Sequence, residues 1–220
     1  GIALLIEWRY SKQRILEVAR ELMGKLGYEG VTMRDLAEKS LVSVPTLYSL
    51  FGGKNDLLLA AVESYFGDLI GRAEPVSRPE GLVRIIGLAN LLGRETPRHA
   101  ARARSLMSFF GSVSDAGGLH EIAATRLTSE IEVALEQMKR KRQLAAWAEP
   151  RALAARLASL LSITTFEWAR NRLTDEELRG AMLYGTGVVL LGVARGKAAA
   201  QLEELVRRNQ SAACGTPKPD

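Results

Sequence analysis

The sequence predicts an all-α protein in two parts, a small N-terminal three-helix domain followed by a larger helical domain. Three observations carry this expectation. Apolar residues recur at i, i+3, i+4 and i+7 along nearly the whole chain. No run alternates with period two, so no sheet is expected. Glycine, proline and the capping residues Ser, Thr and Asp fall between the periodic stretches, where helices stop and start. At 220 residues the chain is long enough for one small and one larger core. A composition of 47% hydrophobic and 25% charged residues is that of a globular chain, not a disordered one.

Residues 1–10 read as an N-terminal arm. Gly1 to Ile6 is apolar but too short to span a membrane, and it lacks the basic flank and cleavage site of a signal peptide. From Ser11 to Leu26 a helix is expected, with Ile15, Leu16, Ala19, Leu22, Met23 and Leu26 on one face and Gly27 as its stop. Thr32 can cap a second helix, with Asp35 three positions on. Met33, Leu36 and Ala37 share its inner face, while Arg34, Glu38 and Lys39 stay wet. Ser40 to Val42 break the pattern. Ser43 is another cap, Pro45 suits a first turn, Leu47, Leu50 and Phe51 point inward, and Gly52-Gly53 ends the helix. Two short helices joined tightly, the second opened by small residues, fit a helix-turn-helix.

A longer helix follows from Lys54 toward Arg72, with Leu57, Leu58, Ala61, Val62, Tyr65 and Leu69 inward, and Glu74 to Arg78 reads as a joint. Helical periodicity then runs over 79–93, 96–116 and 119–146, with Gly117-Gly118 between the last two. Glu149 to Leu173 is opened by Pro150. Thr174 and three acids behind it begin a helix toward Arg195, each acid facing the positive end of the helix dipole. Gly196 interrupts, Ala198 to Arg208 adds a turn or two, and 211–220 reads as a disordered tail.

The N-terminal segment also carries a resemblance. Gly27-Tyr28, Val31-Thr32, Leu36-Ala37, Val42-Ser43, Thr46-Leu47-Tyr48, Phe51 and Lys54 with Asp56-Leu57 resemble the DNA-binding domain of the TetR family of transcriptional repressors. The match runs from about Arg14 to Leu59. The rest of the chain resembles the family only in being helical and of suitable length. The resemblance implies a helix-turn-helix domain over 1–54, a connecting helix over 55–72 and a ligand-binding and dimerisation domain over 73–210. It implies a homodimer on a double-stranded DNA operator and a small-molecule effector. With one cysteine and no span-length apolar run, a cytoplasmic protein without cofactor, metal or membrane is expected.

Ser43, Val44, Pro45 and Thr46 open the second helix of the motif, which enters the major groove. Hydroxyls there can bond bases or phosphates, and Val44 and Pro45 suit thymine methyls. Ser49 lies on the same helix. By the resemblance, Tyr48, Lys54 and Thr32 bind phosphates; Lys54 also opens its own helix, where free N–H groups attract anions. Arg34 can reach the DNA backbone or pair with Glu38. The family usually has glycine at the position of Leu41, and often at that of Pro45, which bears on turn geometry and base preference.

Met182, Leu183 and Val188 to Leu191 make their helix apolar nearly all round, so it must be covered on all sides. Paired with the preceding helix, it suits half of an intermolecular four-helix bundle. The expected interface is Leu153, Leu157, Leu160, Leu161, Thr164, Met182, Gly185, Val189 and Gly192. Met107, Phe110, Trp147 and Phe166 are candidates for lining an apolar pocket.

Other classes find less support. The formal charge is +5 and the pI about 9.5, which permits nucleic-acid binding without requiring it. The basic run Lys139 to Arg142 spreads around a helix and reads as a solvated face. Cys214 is alone, His120-Glu121 lacks a second histidine four residues on, and no nucleophile–base set, P-loop or CxxC occurs, so no enzyme is expected. The alternative to a regulator is an all-helical interaction or ligand-carrier module without DNA binding, supported by the near-neutral N-terminal region.

Overall fold

The computed structural model describes the backbone of residues 2–71, 80–101, 103–104 and 117–211, with side chains over 12–65, 67–68, 80–101, 103–104 and 125–211. Its helices are α1 (Ile2–Gly30), α2 (Met33–Ser40), α3 (Val44–Phe51), α4 (Lys54–Gly71), α5 (Gly81–Arg98), α6 (Gly117–Arg140), α7 (Pro150–Ala169), α8 (Asp175–Leu191) and α9 (Lys197–Asn209). Among the described residues there is no strand. A single antiparallel bridge, Leu144 to Ala194, ties the loop before α7 to the loop after α8. The chain falls into two compact units, Gly1–Asp68 with Ala101–Ala123, and Leu69–Ala100 with Ala124–Asp220.

In the first unit α1 packs on α2 and α2 on α3. Ile15, Ala19, Met23, Val31, Leu36 and Leu47 are fully buried there, and Leu57, Leu58, Ala61 and Val62 of α4 are buried as well. Arg20, itself buried, reaches Asp68 of α4 at 3.0 Å. Gly27 breaks the regular helix at φ 68°, as its place in the sequence predicts, and leaves Leu26 half exposed instead of inward. The helix does not begin at Ser11: residues from Ile2 are helical too, so the expected arm is a continuation of α1. Nothing between Ile2 and Ser11 caps or breaks a helix.

The second unit is organised around α8, which packs against α5, α7 and α9. The Thr174 cap is realised. Its hydroxyl accepts the Glu177 N–H at 3.2 Å, and Glu177 accepts the Thr174 N–H at 2.7 Å. Leu178, Met182, Thr186 and Leu190 of α8 are fully buried, which answers the demand its all-round apolar sequence makes. Trp168 is sealed beside them and donates its indole N–H to Asp175 at 2.7 Å. Buried Arg84 ties α5 to α6 through Glu130 at 2.8 Å.

Three expected boundaries move. Pro97 does not open a helix; it sits in the last turn of α5, where, having no N–H, it gives up the bond to the carbonyl four residues before it and the helix ends one residue later. The helix expected to reach Ala146 ends at Arg140, because Arg142 turns left-handed at φ 55° and the Gln143 N–H closes on the Met138 carbonyl. The one expected to reach Leu173 ends at Ala169. The expected joint over 74–78 and the tail beyond Ser211 lie outside the described residues.

Two glycines of α5 separate packing from propensity. A Cβ on Gly93 would lie 2.6 Å from the Cα of Arg179, whereas one on Gly87 would meet nothing within 4 Å. Gly93→Ala is therefore expected to destabilise the protein by about 1–3 kcal/mol through overpacking. Gly87→Ala should stabilise it by about 0.4–1 kcal/mol through the unfolded chain. Urea midpoints of the two variants check both signs.

Candidate nucleic-acid interface

Short helices need fixed ends, and α2 and α3 have them. The Thr32 hydroxyl accepts the Asp35 N–H at 3.1 Å, and Asp35 accepts the Thr32 N–H at 3.2 Å, a reciprocal capping box. At the start of α3 the Ser43 hydroxyl accepts the Thr46 N–H at 3.2 Å and lies 2.7 Å from the Thr46 hydroxyl. Pro45 sits in the first turn. The turn between them passes through Leu41, left-handed at φ 57° and ψ 41°, and the Val42 N–H closes on the Ala37 carbonyl at 3.0 Å. Leu41 thus adopts the conformation that glycine favours, with its side chain 76% exposed. The helix-turn-helix forms without the glycine, and Leu41 carries the strain.

One residue of α3, Leu47, is fully buried. Pro45, Thr46, Tyr48 and Ser49 are exposed, as is the cap Ser43; Val44, Leu50 and Phe51 are half-buried. Thr32 and Arg34 are exposed, and among the described residues Arg34 makes no pair with Glu38. The expected DNA-facing residues thus lie on accessible faces of α2 and α3 and at the start of α4. Lys54 is half-buried because its ammonium sits 4.5 Å from the centre of the Tyr28 ring. The Tyr28 hydroxyl meets the Asn55 side-chain carbonyl. Burial raises the Tyr28 phenol above its ordinary value, with the Glu29 carboxylate adding to it, so the hydroxyl keeps its proton and donates. A second, longer stack places Lys12 at 5.4 Å from the Phe51 ring. Tyr28 and Asn55 were not expected at this surface from the sequence. Their link spans 27 positions, and no local spacing signals it.

The remaining expected residues are distributed differently. Leu157, Leu161, Thr164 and Met182 turn into the core of their own protomer and present no surface. Leu153, Leu160, Gly185 and Val189 are half-buried and Gly192 is exposed, beside Ile163 and Val188, which are 60% and 46% exposed. The most exposed large apolar side chains of α7 and α8 are thus Ile163 and Val188 rather than the expected interface residues. Leu160 lies on Gly185 so closely that a Cβ there would be 2.8 Å from its Cδ2. Of the pocket candidates, Met107 and Phe110 lie outside the described residues. Trp147 is 73% exposed in the loop before α7 and lines no interior. Phe166 is half-buried with the Arg170 guanidinium 4.8 Å over its ring.

Three braced helices with one sealed leucine and an outward face of hydroxyls, proline and tyrosine define a helix-turn-helix DNA-binding regulator. Residues 15–61 match the family model described as bacterial regulatory proteins, tetR family. Residues 15–61 thus carry the N-terminal helix-turn-helix domain of that family. It is 29% identical over 169 residues to the HTH-type transcriptional repressor KstR of Rhodococcus jostii, covering 70% of this chain and 80% of that one. It is 40% identical over 76 residues to the HTH-type transcriptional repressor AcnR of Corynebacterium glutamicum, covering 34% of this chain and 38% of the relative. A putative TetR-family regulator from Rhodococcus sp. shares the fold at TM-score 0.66 and 18% identity, over 82% of this chain and 99% of that one. No helix of the described residues is long and apolar enough to cross a membrane.

The strain at Leu41 gives a sign to test. A left-handed non-glycine residue costs about 1–2 kcal/mol, and glycine returns part of that as unfolded-state entropy. Leu41→Gly is expected to stabilise the protein by about 0.5–1 kcal/mol, whereas Leu41→Val should destabilise it. Thermal melts of both variants check this.

Proposed function

We propose that the protein is a repressor that binds a palindromic operator as a homodimer in the cytoplasm and is released by a small-molecule effector. The observation that carries this reading is the accessible opening of α3, Ser43 to Ser49, held on a buried Leu47. In this arrangement Ser43, Val44, Pro45 and Thr46 enter the major groove. Tyr48, Ser49, Thr32, Arg34 and Lys54 hold the phosphates on either side. Residues 1–54 would act as the DNA-binding domain, 55–72 as the connecting helix and 73–210 as the effector and dimerisation domain.

Two-fold pairing has a suitable surface. Ile163 and Val188 are large apolar side chains left open, beside Leu160, Gly185 and Gly192, on two helices that already pack together. Two such helices from each protomer make a four-helix bundle with a self-complementary interface. An effector acts only if it binds the DNA-incompetent spacing more tightly than the competent one. Relatives named as repressors support the negative sense of regulation.

Gel shifts on a short palindromic DNA test the reading. Tyr48→Ala and Lys54→Ala are each expected to weaken binding by about tenfold or more, since each removes a charge-assisted or phosphate contact in both protomers. Lys54→Ala should also lower the salt slope by roughly 2 for a dimer, about 0.9 per phosphate. Unchanged affinity and slope in both variants would contradict the proposal.

A further inference from the structure

We infer that Tyr28 is a positioning residue for DNA binding: its ring holds the Lys54 ammonium at the mouth of α4, and its hydroxyl holds Asn55 beside it. The inference rests on the reading above that Lys54 meets a phosphate, and it adds the residues that make Lys54 effective.

Three observations carry it. Gly27 takes φ 68°, which only glycine adopts readily, and this kink turns Tyr28 out of the line of α1 toward the start of α4. The Lys54 ammonium then lies 4.5 Å from the Tyr28 ring centre, well within the distance at which a ring face attracts a cation. The Tyr28 hydroxyl donates to the Asn55 Oδ1. That bond fixes the oxygen end of the Asn55 amide and leaves its two N–H donors for a ligand.

The consequence is physical. A lysine has a long flexible stem, and fixing it on a phosphate costs rotamer entropy that a pre-placed ammonium has already lost. The ring attracts the cation from one side only, so the remaining N–H bonds are available to an anion opposite. Tyr28 itself needs no contact with DNA.

The test is fluorescence anisotropy of the full-length chain with a mixed-sequence duplex over a salt series, since phosphate contacts do not depend on sequence. Tyr28→Leu should weaken binding by about fivefold in the wild-type background, and by less than about twofold when Lys54 is already alanine, because the tyrosine acts through the lysine. Tyr28→Phe keeps the ring and should retain most of the affinity, losing only what Asn55 contributes. The Lys54 ε-methylene protons should be shifted upfield by the ring in the wild type and in Tyr28→Phe, and not in Tyr28→Leu. Equal losses from Tyr28→Leu with and without Lys54, or no loss at all, would overturn the inference while leaving the phosphate role of Lys54 intact. If Lys54→Ala changes neither affinity nor salt slope, the phosphate reading fails and this inference fails with it.

Discussion

An isolated eight-residue helix is unstable in water, because nucleation costs more than so few hydrogen bonds return. The second helix of the motif, α3, therefore depends on what its neighbours do for it. Leu47 is its one fully sealed side chain, and Leu36, Val31 and Ile15 are sealed in the same unit. Complete burial of a leucine contributes about 1.5–3 kcal/mol, while a cap such as Ser43 contributes about 1 kcal/mol. Packing therefore holds the helix and the cap sets where it begins. The division has a functional result: with one inward residue doing the anchoring, the rest of the first turn is free to face outward.

That outward face carries no charge. Ser43, Val44, Pro45, Thr46 and Ser49 can discriminate bases through hydroxyls and apolar contacts, but they neutralise no phosphate. In the proposed arrangement, affinity comes from residues around them, Lys54 and Arg34 among them, and from using the unit twice. Pre-placing a cation spares part of the entropy lost when it is fixed on a phosphate. The stacking of Lys54 on Tyr28 is consistent with such pre-placement.

Much of the fold was legible because its signals are local. The reciprocal cap of Thr32 with Asp35, the cap of Thr174 with Glu177, the stop at Gly27 and the inward set Leu36, Ala37 and Leu47 all follow from spacing within one or two turns. The exposed opening of α3 was legible for the same reason. The pairing surface was not resolved. A helix apolar on every side has no preferred face, so the sequence could not say that Met182 goes inward and Val188 outward. The same held for Leu157 and Leu161 against Ile163 on α7. Trp147 looked like a pocket residue because tryptophan is usually buried, yet the loop carrying it is fixed by the bridge of Leu144 to Ala194 and leaves it outside. The stack of Lys54 on Tyr28 joins residues that only the folded chain brings together.

Hydroxyl-radical footprinting on the upstream DNA tests the central claim most directly, because it reports which sugars the protein covers. A paired helix-turn-helix regulator predicts two protected patches related by two-fold symmetry, with centres one helical turn apart, roughly 34–36 Å. A single unsymmetrical patch, or uniform weak protection that disappears with salt, would contradict it.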